Sequence, residues 1–462
     1  MRPVAVLNIV ALSPSILAGD APRLRDFARS SGGVRLLRPP LPAVTCSSQA
    51  SMLTGLTPAE HGVVGNGWFD RQLQEVHFWK QSNRLVAGEK VWERARRELD
   101  AGVRCANLFW WFNMYSSADV SVTPRPIYRA DGRKVPDCLT HPPQLRDELQ
   151  RTLGTFPLFR FWGPGADIRS TDWIAAAAMK VYERSKPELS LVYLPHLDYP
   201  LQKLGPEHPE IRRHVREIDR VFGLLHDFYR ERGVRVMVVS EYGIVPTVGA
   251  VEPNRMLRSA GLLALRDELG REMLDPGASE AFAVCDHQVA HVYVRDVRRV
   301  AEVKALFEGR PGIAAALDRD SQRGLGVGHE RSGELLLVSD ADRWFAYPWW
   351  SEGREPDYAR TVDIHRKPGY DPCELFLDPG LRLPKLAVGW RLLKRSIGFR
   401  TLLDVIPLDP GLVRGSHGRV DQPRGHEPVL FGDGLDAFDP PTDGPFLPMT
   451  AVRDAILCAM RS

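Results

Sequence analysis

Thr45 stands where an irregular proline-rich stretch, Leu37-Arg-Pro-Pro-Leu-Pro42, gives way to the small polar string Thr45-Cys-Ser-Ser-Gln-Ala-Ser-Met-Leu-Thr-Gly55. Small polar residues open helices and glycine closes them, so this string predicts a helix from Thr45 that stops at Gly55. A hydroxyl at a helix N-terminus lies beside unpaired backbone N–H groups and the positive end of the helix dipole. That setting suits an oxygen nucleophile attacking phosphorus, and it equally suits a plain helix cap. Further polar residues with chemical capacity are Asp286, His287 and His291 in Cys285-Asp-His-Gln-Val-Ala-His291, and His365 in Asp363-Ile-His-Arg-Lys-Pro-Gly-Tyr-Asp371. An acid next to a histidine can orient it as a proton carrier or join it in holding a metal; a lone histidine is more often structural. Arg366 and Lys367 are possible phosphate contacts or solvated charges, His196 a pocket or loop residue, and Trp110, Trp111, Trp349 and Trp350 either stacking surfaces or core.

These residues need a scaffold. Val4 to Val10, Leu189 to Leu194 and Val234 to Val239 are short, apolar, β-branched runs of the kind buried on both faces of a parallel sheet. Between them the pattern turns helical over Arg23–Arg29, Ile168–Tyr182 and Ile211–Tyr229. This alternation predicts an α/β fold, a doubly wound and mostly parallel sheet flanked by helices. In such sheets sites form at the carboxyl ends of the strands, where Val10, Asp198 and Glu241 fall. Residues 68–165, rich in Trp and Pro, read as decoration around the site, and about 290–360 as a small inserted α/β lobe of one domain covering 1–462.

Composition removes several classes. Hydrophobic residues at 44%, charged residues at 26% and a net charge of +3 exclude disorder and leave no basic footprint for a nucleic-acid polymer. The six cysteines are widely spaced, which argues against a disulfide framework or a thiolate zinc site. Val4–Val10 is too short for a signal core, and no apolar run approaches the roughly 18 residues of a membrane span. The expectation is a cytoplasmic protein with no membrane partner, of undetermined oligomeric state.

Pro42-Ala-Val-Thr45, Ala50-Ser-Met-Leu-Thr-Gly55 and Pro58-Ala-Glu-His-Gly-Val-Val-Gly-Asn66 together resemble the nucleophile segment of the nucleotide pyrophosphatases/phosphodiesterases, in the alkaline-phosphatase superfamily. Leu194-Pro-His-Leu-Asp198 and Gly415-Ser-His417-Gly resemble two further segments of that family, in the same order. The resemblance implies an alkaline-phosphatase-like fold, Thr45 as nucleophile, Asn66 on a phosphoryl oxygen, and Asp198 and His417 as ligands of a divalent metal, zinc first, with manganese or another ion as alternatives. The pattern also departs from the family. Val10 or its neighbours stand in place of an Asp, Gln202 in place of a His, and Ser240-Glu-Tyr-Gly-Ile244 in place of Ser-Asp-His-Gly-Met, so Glu241 is a substitute ligand and Tyr242 is none. One ion or two are therefore both open, with Asp286, His287, His291 and His365 as compensating donors. The reading that follows is a metal-assisted phosphohydrolase acting on a small phosphorylated metabolite. The alternatives are a phosphoryl transferase or isomerase, or a non-hydrolytic ligand-binding protein.

Overall fold

The computed structural model describes all residues except 131, 398, 400, 440–443 and 462. Val4–Ile9 (β1) is a run of six buried residues, and it becomes the centre of a nine-stranded sheet. The other strands are Arg35–Arg38 (β2), Cys105–Leu108 (β3), Val120–Pro124 (β4), Cys138–His141 (β5), Leu189–Leu194 (β6), Arg235–Val239 (β7), Val429–Gly432 (β12) and Phe446–Pro448 (β13). Their order is β13-β2-β12-β7-β1-β6-β3-β4-β5. All pairings are parallel except those made by β12 and by the edge strand β5. The mostly parallel sheet expected from the sequence is present. Three of its strands, β3, β4 and β5, come from the stretch read as decoration. Each has four or five residues between Trp- and Pro-containing turns, too short to show a period.

Helices Pro22–Ser30 (α1), Thr45–Thr54 (α2), Ile168–Ser185 (α3), Asp198–Leu204 (α4), Ile211–Arg230 (α5) and Val452–Arg461 (α6) are among those that cover the sheet. α5 buries Ile211, Val215, Ile218, Val221, Phe222, Leu225 and Tyr229, a stripe at three- and four-residue spacing. It also turns Asp219 onto the backbone N–H groups of Arg23 and Leu24, at 3.2 and 2.8 Å, which tethers the start of α1.

In the region read as a small lobe, a second, antiparallel four-stranded sheet is formed by Ala281–Asp286 (β8), Val289–Val294 (β9), Ile313–Leu317 (β10) and Leu335–Ser339 (β11), in the order β8-β9-β11-β10. It begins one strand earlier than the sequence pattern indicates, because the hairpin turn is the polar His287-Gln288 within an otherwise apolar run. A second core forms on this lobe, and there Trp349 and Trp350 pack edge-on; Trp110 and Trp111 are likewise buried. The paired tryptophans are thus core residues. No helix among the described residues is long and apolar enough to cross a membrane.

Candidate active site

The site lies where the carboxyl ends of β1, β6 and β7 meet the N-terminus of α2. Chain direction changes sharply there: after β1, Ala11 takes a left-handed φ of 61°, a conformation that normally favours glycine. α2 is buried along its whole length and ends on Gly55 with φ 68°. Its short hydroxyl side chains find partners close by, Ser47 on the Pro42 carbonyl, Ser51 on His61 and Thr54 on the Ala50 carbonyl, which lets a Ser- and Thr-rich string be buried.

Thr45 begins α2, and its hydroxyl lies 3.2 Å from the Tyr242 hydroxyl. Tyr242 donates to Asp198 Oδ1 at 3.1 Å, Gln202 donates to Asp198 Oδ2 at 2.8 Å, and Tyr370 donates to Gln202 Oε1 at 2.8 Å. A continuous chain of hydrogen bonds therefore leads from the Thr45 hydroxyl to a buried carboxyl. The next residue on α2, Cys46, donates its N–H to Asn66 Oδ1 at 3.0 Å. Asn66 in turn gives its own N–H and its side-chain NH2 to Asp286, at 2.7 and 3.0 Å, and His287 Nδ1 bonds the same carboxyl at 2.8 Å. Glu241 Oε1 accepts from Asn8 at 2.6 Å and from Gln49 at 2.5 Å, while its Oε2 is buried without a partner.

His417 Nδ1 bonds the Ala43 carbonyl at 2.8 Å, so that nitrogen carries the proton and Nε2 presents a lone pair. Nε2 is buried, has no hydrogen-bond partner, and faces Asp198 Oδ1 at 4.0 Å. The ring is clamped between Tyr242, stacked at 3.5 Å and 5°, and His287, whose centroid is 3.8 Å away. Burial pushes the carboxyls up, Asp198 to about 7, Glu241 to about 8 and Asp286 to about 6, and it holds His287 and His417 well below the ordinary imidazole range. A low-dielectric pocket with unpaired acceptors is suited to a substrate or ion that brings positive charge or hydrogen-bond donors.

Of the residues selected from sequence, the structure brings Thr45, Asn66, Asp198, Glu241, Asp286, His287 and His417 to this cleft. His291 is elsewhere in chemical terms: Nε2 bonds the Val64 carbonyl at 2.9 Å and Nδ1 accepts from Gly333 N–H at 3.1 Å, so both nitrogens are consumed by backbone. His365 Nδ1 is directed to the Phe78 carbonyl at 3.3 Å, with its ring edge-on to Tyr128. Lys367 is an interior cation, 2.7 Å from Asp371 and 2.8 Å from Glu374. Asp198, Glu241 and His417 do not form a three-ligand cradle. Among the described residues the three carboxylate, imidazole or thiol ligand atoms that gather within 4.8 Å of one another belong to His196, His214 and Glu217. Sequence reasoning passed over Asn8, Gln49 and Tyr370. The signal for the first was available, since Asn8 is the single polar residue in the apolar run of β1.

The sequence profile of the type I phosphodiesterase/nucleotide pyrophosphatases matches residues 4–371. The chain belongs to this family. An uncharacterized pyrophosphatase/phosphodiesterase of Schizosaccharomyces pombe is 27% identical over 239 residues, 50% of this chain and 42% of that protein. Ectonucleotide pyrophosphatase/phosphodiesterase family member 1 of Homo sapiens is 19% identical over 235 residues, 49% of this chain and 21% of that protein. The matched part is thus less than half the length of either relative. Among solved structures, phosphonoacetate hydrolase from Sinorhizobium meliloti 1021 with phosphonoformate superposes with a TM-score of 0.61 at 15% identity, over 99% of this chain and 96% of that one. Inactive murine ectonucleotide pyrophosphatase/phosphodiesterase 5 with AMP superposes with a TM-score of 0.59 at 13% identity, over 100% and 95%. These superpositions establish the alkaline-phosphatase-like fold. At the three places where the sequence pattern was expected to depart from that family, Val10 is fully buried, the Gln202 amide donates to Asp198, and the Tyr242 ring covers His417.

Proposed function

We propose that this chain is a phosphohydrolase that acts on a small phosphorylated metabolite with Thr45 as the nucleophile. The observation that carries this reading is the hydrogen-bonded line from Thr45 through Tyr242 to Asp198, beside the Cys46 amide and Asn66. Tyr242 passes the threonine proton along this line: as the Thr45 oxygen bonds to phosphorus, the bond from phosphorus to the leaving oxygen breaks on the opposite side, the threonine proton moves to the phenol oxygen, the phenol proton moves to Asp198, and the departing oxygen takes a proton from water. One hydrogen of the Asn66 amide is fixed on Asp286, which leaves the second to bind a non-bridging phosphoryl oxygen. His287, oriented by Asp286, is the proton acceptor for the water that releases phosphate from Thr45.

Family members are generally metal-dependent, and the cleft is compatible with one divalent ion. Asp198 and His417 would hold it, since His417 has the anchored Nδ1 and the buried, unpartnered Nε2 of a metal ligand. When bound, the ion supplies Lewis-acid polarisation of a phosphoryl oxygen. A second ion of the usual pair does not fit, because Val10 offers no donor and the Tyr242 hydroxyl spans the gap from Thr45 to Asp198. A second reading, phosphoryl transfer to an acceptor other than water, is favoured by the near-complete burial of Thr45, 5% exposed, and His417, 1%.

The test is a panel of chromogenic phosphomonoesters, phosphodiesters and phosphonates, each with and without an added alcohol, using chelated protein reloaded with zinc or manganese. The expected result is turnover that metal restores and that Thr45→Ala removes; an alcohol-derived phosphoester as product would select the transferase. Absence of turnover on every substrate, with no phosphothreonine trapped by mass spectrometry, would overturn both readings.

A further inference from the structure

Outside the cleft, three ligand-type side chains converge without any role in the chemistry above. His196 lies in the turn between β6 and α4, two residues before Asp198, and is 1% exposed. His214 and Glu217 lie three residues apart on one face of α5, which brings both over that turn. His196 Nε2 is 2.9 Å from Glu217 Oε2 and 3.2 Å from His214 Nδ1, and His214 Nδ1 is 3.1 Å from the same Glu217 oxygen.

Hydrogen bonds alone satisfy this triangle poorly. If each imidazole donates to the carboxylate, two N–H groups face one another at 3.2 Å; if one donates to the other ring, Glu217 loses a partner. A cation removes the conflict within the triangle, because all three atoms then act as lone-pair donors; the His196 proton then sits on the buried Nδ1, a cost that metal binding offsets. The spacing agrees as well: with metal–ligand distances of about 2.0–2.1 Å, neighbouring ligand atoms of a tetrahedral site are about 3.3 Å apart. Side-chain exposure rises from 1% at His196 to 12% at His214 and 30% at Glu217, so the triangle is closed on the protein side and open to water on the other. Nothing else holds the His196 ring by hydrogen bonding, since its Nδ1 is buried without a partner.

We propose that His196, His214 and Glu217 form a divalent-metal site of the zinc type, distinct from the Thr45 cleft, which fastens the turn bearing Asp198 to α5. Two imidazoles and one carboxylate favour zinc or cobalt over magnesium or calcium, and an open fourth position is left to water. Loading puts the His214 proton on Nε2. Arg213, whose Nη2 is 3.2 Å from that nitrogen, then turns to Glu217 Oε1, which already lies 3.9 Å from its Nε.

The full chain, stripped with chelator and reloaded with cobalt(II), provides the test. Three proteins are compared: wild type, Asp198→Ala/His417→Ala, and His214→Ala/Glu217→Gln. The expected result is one equivalent of cobalt with the intense visible absorption of a four-coordinate ion in the cleft variant, and loss of that equivalent and band in the α5 variant. Metal-free melting temperatures show whether each variant is folded, and if the α5 double variant is not, Glu217→Gln alone is read for a shifted band and weakened affinity. A cleft variant that binds no cobalt, or a folded α5 variant with wild-type stoichiometry and spectrum, would overturn the site. Because the cleft variant lacks the proposed catalytic ligands, either outcome is independent of whether the phosphohydrolase reading holds.

Discussion

Thr45 and Tyr242, the first two residues of the Thr45–Tyr242–Asp198 line, make different predictions. Thr45→Ala should lower kcat by at least about 10⁴ with little change in melting temperature, because the residue supplies only one hydroxyl to the fold, and Thr45→Ser should recover part of the rate. Tyr242→Phe keeps the ring that stacks on His417 and removes the hydroxyl. A drop of about 10² in kcat with unchanged metal content is expected, within the usual range for a lost proton carrier; wild-type kcat would eliminate the relay. That Thr45 and Asn66 come together was legible in the sequence because a long string with fixed spacing surrounds them. Tyr242 was not, since a tyrosine in place of a family histidine reads as a lost ligand until its hydroxyl is seen between two site residues. His291 shows the opposite error. Its neighbours Asp286 and His287 reach Asn66 and His417, but the next-but-three position on β9 points to the backbone of Val64 and Gly333.

At the scale of elements, the turns that aim the site carry testable strain and titration. Ala11 has the left-handed backbone of a glycine, so Ala11→Gly should leave activity intact and raise stability by about 1 kcal/mol in denaturant titration. Gly243, next to Tyr242, shows the reverse constraint: a Cβ there would lie 1.7 Å from the His426 carbonyl oxygen. Gly243→Ala should cost about 3 kcal/mol or abolish soluble expression. His61 and His291 are buried as neutral rings, held down to about 3 and about 4, chiefly by burial. Their folded values lie below the unfolded 6.5, so the stability they contribute is complete above pH 6.5 and is lost as pH falls toward 4 and 3. His291→Gln should flatten the acid limb of a melting-temperature profile; an unchanged limb would show that other groups govern it. Strands β1, β6 and β7 were legible because they are short, mainly apolar runs rich in β-branched residues, with at most one polar interruption, as strands buried on both faces are. β3 to β5 were hidden by their brevity, and β8 by the polar turn that follows it.

For the whole molecule, alternating strands and helices were enough to read a doubly wound sheet, but not its order, because strand order depends on contacts between residues hundreds of positions apart. The central example is β12. It lies antiparallel between β7 and β2, and it alone connects the β2–β13 edge to the remaining strands. Until residue 432 has left the ribosome, β7 keeps an open edge of buried apolar residues that are Val236, Met237, Val238 and Val239 in the finished protein. The nascent chain thus carries an unpaired, aggregation-prone strand through about two hundred residues of synthesis, and α2 waits longer still for its partner loop at His417. Refolding of the intact chain from denaturant should accordingly be slow, on the order of seconds or more, with a yield that falls as protein concentration rises and recovers when a chaperone shields that edge.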